Sequence, residues 1–122
     1  MTASTGPDVA TREQVRWRDR DRCRRCGAYT AGGSIHHRQG RGGADPHRVA
    51  ALLLLCGSGS TGCHGYVHAH PAESYVNGWM VRRLGIAQCE DVPVLTPDGW
   101  VLLNADGTTT PMEEDERARL LG

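Results

Sequence analysis

Two residue types are missing from this chain of 122 residues: it contains no lysine and no phenylalanine. Without lysine, all 14 cationic side chains are arginines, whose guanidinium groups bind phosphate oxygens in pairs and stay charged at physiological pH. Aromatic residues make up only 5% of the sequence, whereas there are 16 glycines. The hydrophobic core must therefore be small, and a small core usually needs an additional cross-link, which a metal ion can supply.

Long apolar segments are missing too. The longest apolar run, Val49 to Cys56, has eight residues, whereas a membrane-spanning helix needs about 20. Residues 1–9 lack the charged segment and apolar segment of a secretory signal, so we expect a cytoplasmic protein with no membrane partner and with reduced cysteines. In that compartment a Cys-x-x-Cys motif indicates metal binding or redox chemistry.

Charge is distributed unevenly although the formal net charge is zero. Residues 1–61 contain ten arginines and five acidic residues, and residues 62–122 contain four arginines and nine acidic residues, so the halves carry about +5 and −5. A GC-rich genome would explain arginine in place of lysine, but it would not explain this clustering. The pattern favours a polyanionic partner for the N-terminal half.

The first ten residues are small and polar, and we predict a flexible arm. From Thr11, a possible N-cap, the sequence predicts a helix on which Arg12, Arg16 and Arg20 recur every four residues. This basic stripe is either a solvated helix face or a surface that contacts phosphates. Residues 11–107 should form a single domain, followed by an acidic tail at 108–122 that is helical or disordered.

Several further elements are predicted between the stripe and the tail. A short strand at the His36-His37 pair should run into a glycine-rich loop, and Val49 to Cys56 should be a buried strand. A helical stretch begins at His64, and Pro71 starts a second turn or a fresh helix through Arg83. A Thr-Pro-Asp-Gly turn predicts a C-terminal β-hairpin over 92–103.

Cysteines and histidines recur in an order that two metal ions could use. Four of the five cysteines form two pairs, Cys23 with Cys26 and Cys56 with Cys63. Four thiolates suit a closed, tetrahedral zinc site that holds structure. Redox chemistry at the first pair is disfavoured because no βαβ pattern surrounds it. Outside this set are an adjacent histidine pair and, four residues apart on one helix face, a second histidine pair: His36, His37, His64 and His68.

The ordered set from Cys23 to His68 resembles the HNH endonuclease family, in particular the small zinc-stapled members encoded by bacteriophages. It comprises Cys-x-x-Cys, Ile-His-His-Arg, an apolar strand ending in Leu-Leu-Cys, and Cys-His-x-x-x-His. The resemblance implies an α+β fold with a ββα-metal core (the His-Me finger) over residues 23–79, stapled by a zinc knuckle and flanked by helices. It also implies hydrolysis of DNA phosphodiesters by histidine-activated water, beside phage genome packaging or processing in the host cytoplasm.

By the same resemblance, His37 matches the general base, and the catalytic metal ligands match His36, His64 and His68. The catalytic ion would be Mg²⁺, Mn²⁺, Ni²⁺ or Zn²⁺, distinct from the structural Zn²⁺. His36 and His68 thus join His37 as catalytic residues. DNA would be the partner, together with phage packaging proteins. We expect phosphate contacts from four arginines, of which two precede and two follow the first cysteine pair: Arg16, Arg20, Arg38 and Arg41.

The chain departs from the family pattern at two places. Ala51 stands where the family usually has the asparagine that braces the base-carrying loop, which implies lower activity, a substitute such as His47, or a degenerate nuclease. We favour a substitute. Six residues separate Cys56 from Cys63 where the family often has two, but this loop is glycine-rich and can close. The alternatives are a non-enzymatic zinc module that binds nucleic acid or protein and, less favoured, a zinc hydrolase acting on another phosphoester or a nucleoside.

Overall fold

Four helices and two antiparallel sheets make up residues 6–41, 45–83 and 87–121, the part of the chain that a computed structural model describes. The helices are α1 (Val9–Arg18), α2 (Gly62–Ala69), α3 (Pro71–Val76) and α4 (Glu114–Leu121). The strands are β1 (Ser34–His37), β2 (Leu52–Leu55), β3 (Val94–Thr96), β4 (Gly99–Leu103) and β5 (Thr109–Met112). The predicted α+β class is confirmed. None of these helices is long and apolar enough to cross a bilayer.

The first sheet is a two-stranded antiparallel hairpin of β1 and β2. His36 pairs with Leu53 and His37 with Leu52. Directly opposed residues of an antiparallel pair project to the same face, whereas successive residues of one strand project to opposite faces. The two adjacent histidines therefore lie on opposite faces of the hairpin. Val49 to Ala51, predicted as part of the strand, form a 3₁₀ turn before β2 instead.

Strand β2 is buried on both faces. Leu53 and Leu55 belong to the main core, while Leu52 and Leu54 pack in a second cluster with Val15 of α1. A strand with both faces covered requires a continuous apolar sequence, which the four leucines supply. The main core includes Val67 of α2. Helices α1 and α2 consequently pack on opposite faces of β2.

Helix α1 begins earlier than the sequence predicts. Asp8 is the N-cap, and its carboxylate accepts a hydrogen bond of 2.8 Å from the backbone N–H of Thr11. The assignment of Thr11 as the cap was wrong, as was the prediction of a flexible arm as far as residue 10, because the first helical turn occupies 9–12; residues 1–5 lie outside the described part. The helix ends at Arg18, so Arg20 does not extend the helical stripe.

The C-terminal sheet is larger than predicted. Strands β3 and β4 form the expected hairpin about the Thr-Pro-Asp-Gly turn, and β5 adds a third strand along β4. Residues 109–112, assigned to the acidic tail, therefore belong to the sheet, and the acidic residues after them form α4. The boundary at residue 107 falls in a turn inside this sheet rather than at the end of the folded chain.

Candidate metal centres and an adjoining basic groove

The four predicted zinc ligands lie together. Each of Cys23, Cys26, Cys56 and Cys63 offers one sulfur, and the four sulfur atoms lie within 4.8 Å of one another. The Sγ atoms of Cys26 and Cys56 are 3.9 Å apart, and all four cysteines are free thiols. This cluster could hold a metal ion such as zinc.

Two tight turns bring the cysteine pairs together. Gly27 closes the first turn with φ of +81°, and the backbone N–H of Cys26 points to the Sγ of Cys23 at 3.5 Å. In the second turn Gly57 has φ of +85°, and any side chain there would collide with the backbone of Thr61. The six-residue loop therefore closes as tightly as a shorter one would.

The surroundings of the sulfurs affect how readily each thiol ionises. For Cys23 burial opposes ionisation, but backbone N–H groups, including those of Cys26 and Cys56, lower the pKa to about 7. Burial raises the pKa of Cys63 to about 12. The Cys23 thiolate thus forms readily near neutral pH, whereas ionisation of Cys63 would need a bound divalent cation. Arg25 reaches Cys63 Sγ with its Nη1 at 3.4 Å and lies 3.5 Å above the Tyr66 ring.

A second cluster consists of His36, His64 and His68. One ring nitrogen from each lies within 4.8 Å of the others. His36 comes from β1, and the other two lie one turn apart on α2, which packs on the same face of the hairpin. The ring centroids are 4.8 to 5.3 Å apart. The three imidazoles thus converge from two elements.

The protonation and hydrogen bonding of these histidines fit a metal ligand set. The Nε2 of His36 is 2.8 Å from the carbonyl oxygen of Trp79, while the Nδ1 atoms of His36 and His64 are buried without a hydrogen-bond partner. Burial and the neighbouring histidines lower the pKa of His36 to about 3, and burial also lowers the pKa of His64. Both rings are therefore neutral at pH 7. A neutral ring that donates one N–H to a carbonyl and leaves its other nitrogen unpaired is the usual state of a metal-binding histidine.

His37 has a different partner. Its Nε2 lies 2.9 Å from Nδ1 of His47, in the loop between β1 and β2. Burial, followed by the nearby charge of Arg41, lowers the pKa of His37 to about 4. The His47 loop is anchored by Arg48, which forms a two-bonded ion pair with Glu90 at 2.8 and 3.1 Å. The ring of His37 is thus neutral and held in one orientation.

One cavity brings the two histidine systems together. It has a volume of about 220 Å³ and is lined by Ile35, Arg41 and the histidines at 36, 37, 64 and 68. A neighbouring groove of about 630 Å³ shares Ile35, His37 and Arg41 with it and extends to Arg12 and Arg16 of α1. We call this surface the basic groove. Arg12, which sequence reasoning placed on the stripe but not among the phosphate contacts, lines it.

The four predicted phosphate contacts fall in three different places. Arg16 and Arg41 line the basic groove, although Arg16 also donates a 2.8 Å hydrogen bond to the carbonyl of Ala31. Arg20 lines a separate cleft. The assignment of Arg38 was wrong, because this side chain is only 1% exposed. It donates hydrogen bonds of 2.8 to 3.0 Å to four backbone carbonyls, those of Gly78, Ala50, Cys89 and Val92.

Arg38 is therefore expected to stabilise the fold, and the first prediction concerns it. Arg38→Met should lower the free energy of unfolding by about 3 kcal/mol or more, because it leaves buried carbonyls unpaired. Urea unfolding followed by circular dichroism measures the change. Arg12→Met is the matched control, since Arg12 is exposed and a surface change should stay within about 0.5 kcal/mol. Equal stability of the two variants would contradict this role.

Comparisons with protein-family models, curated proteins and solved structures find no match for this chain. The geometry of the clusters is therefore the basis for a functional assignment. Sequence reasoning missed the role of Arg25 beside the thiolates and the Trp79 carbonyl beside His36. The position of Arg25 between the first two cysteines was a usable signal for its role, whereas nothing in the sequence could indicate the contact between the Trp79 carbonyl and His36.

Proposed function

We propose that this protein is a metal-dependent DNA endonuclease of the HNH type. The observation that carries the proposal is the cavity in which three converging imidazoles lie beside a fourth, His37, that is oriented by His47. A structural zinc site has no use for a separate, oriented and neutral imidazole next to a second ligand cluster. A hydrolase would use the three-histidine cluster to bind a metal ion and the separate imidazole as a general base.

The hydrogen bond between the two imidazoles is compatible with one arrangement of protons that suits the proposed reaction. If Nε2 of His37 carries a hydrogen and donates it to Nδ1 of His47, the lone pair of Nδ1 of His37 is left to accept a proton from water. The hydroxide so formed attacks the phosphorus, and the bond to the 3′ oxygen breaks. As His37 becomes charged, its hydrogen bond to His47 becomes charge-assisted and stronger. His47 thus takes over the bracing role of the asparagine that Ala51 replaces.

A divalent cation held by His36, His64 and His68 would stabilise the negative charge on the phosphoryl oxygens and on the departing oxygen. The small cavity accommodates a phosphate group rather than a whole nucleotide. The DNA backbone would therefore lie along the basic groove, where Arg12, Arg16 and Arg41 contact its phosphates. Such contacts depend little on sequence, so the enzyme would cleave with weak base preference.

The cysteine cluster by itself favours a second candidate, a zinc module that binds nucleic acid without cleaving it. One experiment separates the two. Supercoiled plasmid is incubated with the protein and Mg²⁺, Mn²⁺, Ni²⁺ or added Zn²⁺ in turn, and nicked or linear product is measured. Product that requires an added ion supports the nuclease. A folded protein that binds the plasmid but leaves it intact with all four ions would establish the binding module.

The role of His47 gives the second prediction. His47→Ala should lower kcat about tenfold and leave KM unchanged, because the ring of His37 remains but is no longer held. His47→Gln, which keeps a hydrogen-bond acceptor on a side chain of similar reach, should recover most of the activity. Steady-state cleavage of a short labelled duplex over a range of substrate concentrations measures kcat and KM for both variants.

A double variant provides the control. If His47 acts through His37, then His37→Ala with His47→Ala should be no slower than His37→Ala alone, because coupled residues are not additive. Additive losses, or a fall in thermal midpoint that accounts for the lost activity, would show instead that His47 only supports the loop.

A further inference from the structure

An exposed tryptophan lies near the C-terminal end of α1. The side chain of Trp17 is 81% exposed, the largest exposed fraction among the large hydrophobic residues of the described part. Tryptophan and tyrosine usually cover apolar surface when they stabilise a fold, and Trp17 does not. The indole ring is therefore available for a contact with another molecule.

Trp17 lines a cleft of about 580 Å³ between α1 and the turn that joins β4 to β5. Arg16, Arg20 and Asp21 line the same cleft, and Gly107 and Thr109 form the opposite wall. The side-chain amide of Gln14 fixes the two walls together through a 3.3 Å hydrogen bond to the Asp106 carbonyl. Arg16 also lines the basic groove, so the cleft and the groove adjoin.

The backbone beside Trp17 adopts a conformation that its residues disfavour. Arg20 and Asp21 have φ of 58° and 54°, in the left-handed region, where glycine would carry no steric penalty. Backbone hydrogen bonds hold this turn. The N–H of Asp21 donates to the carbonyl oxygen of Arg16 at 2.9 Å, and the N–H of Thr30 donates to the carbonyl oxygen of Asp21 at 2.6 Å. Among the described residues, seven glycines have positive φ, yet here the chain has an exposed arginine instead. The result is a guanidinium group at the cleft that contains the indole.

We propose that Trp17 stacks on an unpaired base of a DNA strand whose backbone continues into the basic groove. Arg16 and Arg20 would contact the phosphates on either side of that base. Their two charges exceed the single charge of Asp21, and the remaining cation of the cleft, Arg18, is neutralised by Asp19 at 2.8 Å. The net charge of the cleft therefore complements a phosphate backbone.

The proposal rests on the nuclease function and names its substrate class. In a duplex, neighbouring pairs cover both faces of every internal base, and a terminal base has a phosphate on one side only. An indole flanked by two arginines therefore fits an unpaired base inside a single-stranded segment. The preferred substrate is accordingly DNA in which a duplex adjoins a single-stranded segment, such as an overhang or a fork. Fully paired DNA would use the basic groove alone.

Fluorescence anisotropy measures binding to two labelled DNAs without added divalent ion. One is a blunt duplex, and the other is the same duplex with a five-nucleotide overhang. Wild-type protein should bind the overhang substrate more tightly. Trp17→Ala should weaken that binding about tenfold and change blunt-duplex binding less than twofold, since the stacked base is lost only from the overhang complex. Trp17→Tyr, which keeps an aromatic face, should retain most of the affinity. Because Trp17 is exposed, the thermal midpoints should not change.

Tyr29→Ala is the matched control, because Tyr29 is also exposed, at 64%, but does not line the cleft. Its affinity for both oligonucleotides should equal that of the wild type. Equal wild-type affinity for the two substrates, or equal effects of Trp17→Ala on both, would overturn the proposal and leave the cleft to a protein partner. These measurements need no cleavage, so a failure of the nuclease proposal would appear separately, as uncut plasmid with intact discrimination between overhang and blunt duplex.

Discussion

Replacing His37 with alanine is expected to abolish strand cleavage while DNA affinity and fold remain nearly unchanged. In the proposed reaction the imidazole accepts a proton only during catalysis, so its loss should lower the turnover number by about 10²-fold or more. The side chain lines the cavity and is only half-buried, and its ring hydrogen-bonds to His47. The measurement is the rate of plasmid cleavage at saturating metal, with metal content and thermal midpoint determined on the same sample.

His68→Ala is the matched comparison, because His68 is the exposed member of the ligand cluster. This variant should bind the catalytic ion more weakly, so raising the concentration of Mn²⁺ or Ni²⁺ should restore part of its activity. No concentration of metal should restore His37→Ala. If His37→Ala cleaves as fast as the wild type, the assignment of the general base is wrong. If metal rescues both variants alike, His37 is a ligand rather than a base.

Loss of one cysteine from the cluster is expected to unfold the protein. Cys23 belongs to the main core, and Cys56 packs against it, so the sulfurs join the N-terminal turn to the end of β2. In zinc-finger peptides the bound ion supplies about 10–16 kcal/mol, whereas a whole small domain is stable by about 5–15 kcal/mol. Cys23→Ser and Cys56→Ser should therefore lose zinc together with the cooperative unfolding transition at 25 °C. Metal analysis and thermal denaturation measure the two losses.

Cys89→Ala controls for the loss of a buried thiol in general. Cys89 is fully buried in the same core but lies outside the four-sulfur cluster. Its replacement should cost about 1 kcal/mol, the usual effect of a small change in a core, with no change in zinc content. A folded wild-type protein without zinc, or cluster variants with unchanged thermal midpoints, would refute the structural zinc.

The local features of the site could be predicted from the sequence because they depend on local chemistry. Cysteines in two pairs predict a common sulfur site, and the histidines at 64 and 68 share a face in any helix that contains them. The four leucines of β2 predict a buried strand. The departure at Ala51 pointed to His47 as a substitute, and the rings of His37 and His47 do lie within hydrogen-bonding distance. The shared histidine face and the buried strand need only the geometry of a single element, whereas the common sulfur site follows from the chemistry of thiolates and His47 from the family resemblance.

Arg38 shows where such reasoning fails. It follows the histidine pair and precedes a glycine-rich loop, which is the setting expected of a phosphate contact. Its environment depends on carbonyls of residues 78, 89 and 92, which are distant in sequence. Those carbonyls enclose the guanidinium group only because the later segments pack against the hairpin. Burial of a charged side chain is decided by such long-range packing, and no local pattern indicates it.

The sequence by itself determined the ligand types, their order and the elements that carry them, since these follow from side-chain chemistry and from the periodicities of strand and helix. Only the tertiary structure decided which residues meet. The register of β1 on β2 directs His36 towards α2 and His37 towards α1. The three-histidine cluster is thereby separated from the imidazole of His37, although the cluster and that imidazole line the same cavity. The tertiary structure also places Arg12 in the basic groove and Arg20 beside Trp17. Those placements follow from the packing of α1 on one face of the hairpin and α2 on the other, and packing is a property of the whole chain.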